Sequence, residues 1–182
     1  DLGRSMSPAA LYERWQEGRR RLDAALRAAD PATRVPWYGP AMSLASFVTA
    51  RLMETWAHGQ DVIDAVDGEP VVSERLRHVC HIGVGARPYA FRVHGQEDPG
   101  TPVRVEARAP SGETWSWGPE DAADRVTGTA LDLALVLTQR RHRDDTGLVV
   151  DGPVAEQWIS IAQSFAGPAG TGRAPGLRRM TQ

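Results

Sequence analysis

The stretch Arg51-Leu52-Met53-Glu54-Thr55-Trp56-Ala57-His58-Gly59-Gln60-Asp61 lies inside a strongly helical segment and sets a carboxylate and an imidazole four residues apart. At about 3.6 residues per turn, Glu54 and His58 share one helix face. Leu44, Phe47, Val48, Leu52, Met53 and Trp56 supply an apolar stripe, so the helix is amphipathic and packed. A carboxylate and a neutral imidazole from one turn are two of the three protein ligands that an open catalytic metal site needs. The same spacing also produces a plain surface hydrogen bond, and spacing alone does not separate the two. Asp61 falls on the same side, placed either to orient a ligand or to bind directly.

Upstream of this helix, which is expected over 44–66 with Ser43 as its cap, a first helix is expected over 8–29. Ser7 caps it and Pro8 takes the first helical position, where its missing N–H costs nothing. Leu11, Trp15, Leu22, Ala25 and Leu26 mark its buried face. The connection over 30–40 holds Trp37 and Tyr38, read as packing on the helices or lining a pocket mouth. Asp67-Gly68, through Pro70, is the expected domain boundary.

Beyond it the pattern changes. A helix is expected over 73–91, then strands over 103–107 and 113–117 around the Ser111-Gly112 turn, and a third strand over 125–129. A helix over 131–141, a short strand over 148–150 and a last helix over 153–165 complete an α+β unit. The tail from Gly167, rich in Gly, Pro and Arg, is expected to be mobile. The fold class is α+β, divided as a helical segment 1–68, an α+β segment 73–166 and a tail 167–182.

Composition narrows the function classes. With 182 residues, 41% hydrophobic and 24% charged, the chain suits one large domain or two small ones. A formal net charge of -2 leaves no basic footprint for nucleic acid, and no apolar run approaches the roughly 20 residues that span a bilayer. Neither partner is expected. Cys80 is the single cysteine, so no internal disulfide forms, and no leader-like segment opens the sequence; a reducing cytoplasm is the expected location. Cys80 reads as a small buried apolar residue. All 21 basic residues are arginine, and lysine and asparagine are absent, a pattern of high-GC coding with little to say about mechanism.

Other candidates are weaker. His78 and His81, three apart, are auxiliary ligands or ordinary core or surface histidines. Arg140, Arg141 and Arg143 with His142 form a basic helix end, explained by the helix dipole or, more sharply, by an anionic substrate. No GxGxxG, P-loop or GxSxG pattern is present.

The runs Val35-Pro36-Trp37-Tyr38-Gly39-Pro40-Ala41-Met42-Ser43 and Arg51 through Asp61 are similar to the second half of the metal-binding bundle of mycothiol-dependent maleylpyruvate isomerase-family proteins, a branch of the DinB-like fold. Val126-Thr127-Gly128-Thr129-Ala130-Leu131-Asp132-Leu133-Ala134-Leu135 resembles their C-terminal, sterol-carrier-like α/β domain. The resemblance implies a partial DinB-like bundle followed by that domain, and a divalent metal, usually zinc, held by a histidine of an early helix together with Glu54 and His58. It further implies a transferase or isomerase that uses mycothiol as co-substrate on a small electrophile, with Asp61 behind the ligands and Arg140 as an anion contact. The sequence departs from the family in having no histidine before His58 and only about two helices before the boundary. A dimer mate, or a chain supplying the missing helices, is therefore expected to cover the apolar sides of Trp15, Leu52 or Trp56. The alternative is a non-catalytic module that binds a small ligand or dimerises and whose ExxxH no longer holds metal.

Overall fold

The structure, a computed structural model, describes residues 2–36 and 41–177. Trp37 and Tyr38, and what was expected of them, lie outside these residues. Two compact units divide between Ala45 and Ser46.

In the first unit, helix α1 (Pro8–Ala28) starts as its sequence dictates, with the Ser7 side chain accepting the Ala10 N–H at 3.2 Å and Pro8 in the first turn. Two short antiparallel strands come next, β1 (Arg34–Val35) and β2 (Met42–Ser43), with Arg34 opposite Ser43. The expected buried face of α1 requires correction, because no described residue of the helix is buried. Leu11, Trp15 and Leu22 are 45%, 53% and 45% exposed, Ala25 is exposed and Leu26 only partly covered. An amphipathic stripe is a property of the sequence, whereas burial needs a second surface, and no other element of this unit supplies one. Tyr12 instead stacks on Trp15 at 5.7 Å, and Arg19 lies over the Trp15 ring.

Helix α2 (Leu44–Ala65) runs into the second unit. Its buried positions are Ala50, Met53, Ala57, Gln60 and Asp64, spaced by three and four, so a single face turns inward. Met53 and Ala57 belong to the same core as the larger sheet of that unit, and Trp56 packs against that core. From Ser46 onward α2 accordingly belongs to the second compact unit.

The helix expected over 73–91 is two, α3 (Leu76–Gly85) and α4 (Arg87–Val93). Pro88 explains the break, since its ring disfavours helical geometry at Arg87 and it lacks an N–H, a lack harmless only in a first turn. Strands β3 (Val103–Arg108) and β4 (Thr114–Trp117) form the expected hairpin. Strand β5 (Asp124–Thr129) lies on the other side of β3, parallel to it with Val105 opposite Val126, and β6 (Val149–Asp151) pairs antiparallel with β5. The order is β4-β3-β5-β6. Alternation along β3 buries Val103, Val105 and Ala107, while Arg104 and Glu106 share the other face and pair at 3.0 Å. Helices α5 (Ala130–Leu137) and α6 (Pro153–Ser160) lie against the sheet and α3 packs on α5. Phe91, Leu133, Leu137 and Trp158 fill the core they enclose. The fold class is α+β, as the order of elements predicts.

Side-chain contacts fix the starts of α5 and α6. The Thr129 hydroxyl accepts the Asp132 N–H at 3.0 Å and donates to its carboxylate at 2.7 Å, which starts α5 directly from the end of β5. Helix α5 stops at Leu137, short of the expected Arg141, because Gln139 adopts a left-handed φ of 60° and the Arg140 N–H closes onto Leu135 O at 2.7 Å. Arg140 and Arg141 thereby leave the helix axis. At the start of α6, Asp124 of β5 accepts the N–H groups of Val154 and Ala155 at 2.7 and 2.8 Å. Gly152, at φ 95°, permits that approach, since a Cβ there would lie 2.5 Å from the Asp124 carboxyl carbon.

Candidate functional site

Glu54 and His58 meet on α2 with His58 Nε2 3.5 Å from Glu54 Oε2. Two donors at 2.0–2.2 Å from one tetrahedral ion lie about 3.3–3.6 Å apart, so the pair spans one edge of such a site. The opposite ring nitrogen, Nδ1, is 3.2 Å from Asp61 Oδ2. Burial alone would raise the Asp61 carboxyl, but the Arg140 hydrogen bond and charge, with His58 and Arg173, outweigh it and hold the group below the usual carboxylate value. An ionised Asp61 only accepts, so Nδ1 donates to it, and in the neutral imidazole Nε2 would then present its lone pair toward Glu54. A lone pair facing a carboxylate calls for a cation or a second proton between them. This chemistry fits a metal ion held by Glu54 and His58, with Asp61 fixing the imidazole from behind.

Asp61 is itself fixed. Arg140 donates to it through two nitrogens, Nε to Oδ1 at 3.1 Å and Nη2 to Oδ2 at 2.8 Å, and Arg173 Nη2 donates to Oδ1 at 3.0 Å. One turn on, buried Asp64 receives Arg141 through both terminal nitrogens, at 2.6 and 2.7 Å, and Arg173 Nη1 at 2.6 Å. Gln60 Nε2 donates to the same carboxylate at 2.7 Å. Burial opposes the charge on Asp64, and the Arg141 and Gln60 hydrogen bonds with the Arg141 and Arg173 charges reverse that effect, leaving its carboxyl lowered.

The sequence-predicted residues Glu54, His58, Asp61 and Arg140 thus lie in one chain of contacts. Arg140, expected as an anion contact, spends its guanidinium on Asp61 and on the Thr138 carbonyl. His81 lies elsewhere, its Nδ1 accepting from Trp117 Nε1 at 3.1 Å. Among the described residues no group of three His, Cys, Asp or Glu side chains closes on a metal position. Cys80 is no candidate either. Burial pushes its thiol up to about 12, and its sulfur donates to Ala130 O at 3.3 Å.

Sequence reasoning passed over Asp64 and Arg173, and read Arg141 only as part of a basic helix end, where the structure pairs it with Asp64. A signal existed for Asp64, because Gln60 and Asp64 continue the Ala50, Met53, Ala57 spacing and so sit on the buried face, where a carboxylate requires a partner. Arg173 had none. It lies in the segment expected to be mobile, yet its side chain is only 4% exposed.

No described helix is long and apolar enough to cross a membrane. Two uncharacterized proteins of Mycobacterium tuberculosis, one from strain CDC 1551 / Oshkosh and one from strain ATCC 25618 / H37Rv, are each 49% identical to this chain over 169 residues, 93% of its length. The chain spans 66% of the length of those relatives. No solved structure matches. Residues 99–149, which hold the strands β3 to β5 and α5, match the family described as wyosine base formation. Residues 1–63, which carry Glu54, His58 and Asp61, match the mycothiol maleylpyruvate isomerase N-terminal domain family.

Proposed function

We propose that this chain contributes two ligands of a divalent metal centre, most simply zinc, to a mycothiol-dependent transferase or isomerase acting on a small electrophile. The observation that carries this reading is the 3.5 Å approach of His58 Nε2 to Glu54 Oε2, backed by the Asp61 contact at Nδ1. A metal bound there supplies a Lewis acid that favours a thiol as its thiolate at neutral pH. The residues of this chain do the rest. Glu54 and His58 hold the charge, Asp61 fixes the imidazole tautomer, and Arg140 and Arg173 fix Asp61. The match of residues 1–63 to the isomerase domain family supports the thiol as mycothiol. The remaining ligand, and a cover for α1 and for the exposed side of α2, come in this proposal from further helices or from a second copy.

Zinc titration of the chain tests the reading, followed by the histidine side-chain NMR signals and by metal content after dialysis. The expected result is saturable zinc binding at the His58 Nε2 that is lost in His58→Ala and weakened in Glu54→Ala. Binding indifferent to His58, or absent, would overturn it. The second reading, a ligand-binding or dimerising module with a degenerate ExxxH, would then lead. It draws on the absence of a third closing side chain among the described residues.

A further inference from the structure

After α6 the described chain forms no further helix or strand and runs as a strap whose two feet are fixed. The Ser164 N–H donates to Leu137 O at 3.1 Å, and the Gly176 N–H to both oxygens of Asp145 at 2.9 and 2.8 Å. Between the feet, residues 166–169, 171 and 172 are exposed and small or polar, so this run buries almost no apolar surface. Side chains hold it down. The Tyr89 hydroxyl of α4 accepts the Gly167 N–H and donates to the Gly167 carbonyl, both at 3.0 Å, and Gln163 Oε1 accepts the Gly170 N–H at 2.8 Å. Gly170 sits close on Gln139, since a Cβ there would lie 2.9 Å from the Gln139 Cδ. Buried Arg173 follows, with Nη1 donating to Asp64 Oδ2 at 2.6 Å and Nη2 to Asp61 Oδ1 at 3.0 Å. Gly170, Thr171, Gly172 and Arg173 also form one wall of a cavity of about 340 Å³.

We infer that residues 165–175 are a hinged strap latched by Arg173, and that its opening at once removes a wall of the cavity and changes the support of Asp61 behind His58. A segment with a few side-chain hydrogen bonds and little apolar burial belongs to the part of a protein that opens well below the cost of global unfolding. Gly167 at φ 147° and Gly172 at φ 67° supply joints on either side of the wall. Opening strands neither carboxylate, because Arg140 stays on Asp61 and Arg141 stays on Asp64, while Arg173 moves into water. The route to the imidazole is two contacts long. Arg173 donates to Asp61 Oδ1, and Asp61 Oδ2 is the partner of His58 Nδ1. As a regulator of the proposed metal pair the strap rests on that reading, but as a moving element it needs no metal, and zinc-free protein tests it.

Amide hydrogen exchange and the His58 ring signals, both read by NMR on the full zinc-free chain, are the measurements. The Gly170 amide is expected to exchange about a hundredfold faster than the amides of β3 and β5. Tyr89→Phe removes both Gly167 contacts without touching the charge cluster. It is expected to speed exchange at Gly170 about fivefold, to shift the His58 ring signals and to leave β3 and β5 unchanged. Arg173→Met is expected to shift the His58 signals further in the same direction, and Tyr89→Phe carries the test alone if that variant does not fold. Exchange of Gly170 at the rate of the core strands overturns the strap. So does a Tyr89→Phe effect confined to Gly167, and motionless His58 signals in both variants overturn the link to His58. Zinc binding that depends on His58 in a protein whose strap stays shut leaves the metal pair standing and removes the strap, and a strap that opens in a protein that binds no zinc does the reverse.

Discussion

Asp64 is the residue on which the arginine cluster depends. Its side chain is 4% exposed and carries two guanidinium partners, so Asp64→Asn takes from buried Arg141 its two-pronged carboxylate and leaves Arg173 with Asp61 in place of two carboxylates. Removing one member of a buried pair costs about 3 kcal/mol or more, and urea unfolding at pH 7 is expected to show a loss of that size. The lowered carboxyl of Asp64 also sets a pH dependence. With a folded value below the unfolded value of about 3.9, the group contributes stability in full above that pH and loses it as pH falls through the folded value. The gap between wild type and Asp64→Asn is therefore expected to be constant from neutrality down to about pH 4 and to close below it. A gap that persists unchanged into acid would mean that packing, and not charge, holds the cluster.

At the scale of elements, α3 and α5 approach closely enough that Gly83 is a packing residue. A Cβ built there lies 2.7 Å from Leu137 Cδ1 and 2.9 Å from Leu137 Cβ, and the second of these atoms has no rotamer with which to retreat. Gly59 in α2 has nothing within 4 Å of the same position. Alanine in place of glycine in a helix favours folding by about 1 kcal/mol when nothing else changes. Gly59→Ala is accordingly expected to raise the unfolding temperature, whereas Gly83→Ala is expected to lower it, overpacking costing about 1–3 kcal/mol against that gain. Equal effects at the two positions would show that the helices part freely. How much of these elements the sequence disclosed depends on the range of the interaction. The Ser7 cap, the β3–β4 hairpin and the Glu54/His58 pair are local and legible. The break at Ala86 was also written locally, in Pro88, but a helical apolar pattern on both sides concealed it. The joining of Asp61 to Arg140, 79 positions apart, depends on Gln139 turning the chain back after α5, which no periodicity encodes.

For the molecule as a whole, α1 poses the largest energetic question. It is a 21-residue helix with no buried residue, and Leu11, Tyr12, Trp15 and Leu22 leave much of their apolar surface in water. Most of a helix's stability in a protein comes from packing an amphipathic face and not from intrinsic propensity. Leu11, Trp15 and Leu22, separated by four and seven positions, fall on one side and form such a face. Covering it with an equivalent surface removes apolar area from water at about 25 cal/mol per Å², enough for a handful of large side chains to favour association. Light scattering coupled to size exclusion is expected to give a mass above the 19.8 kDa of one chain, rising with protein concentration. Trp15→Glu combined with Leu22→Glu is expected to return the mass to that of a single chain and to reduce helix content by circular dichroism, because α1 loses the surface that keeps it folded. A single-chain mass at every concentration with full helix content would show that α1 holds its structure through its own Tyr12–Trp15–Arg19 contacts, and the cover proposed for the metal pair would have to be sought on α2 alone.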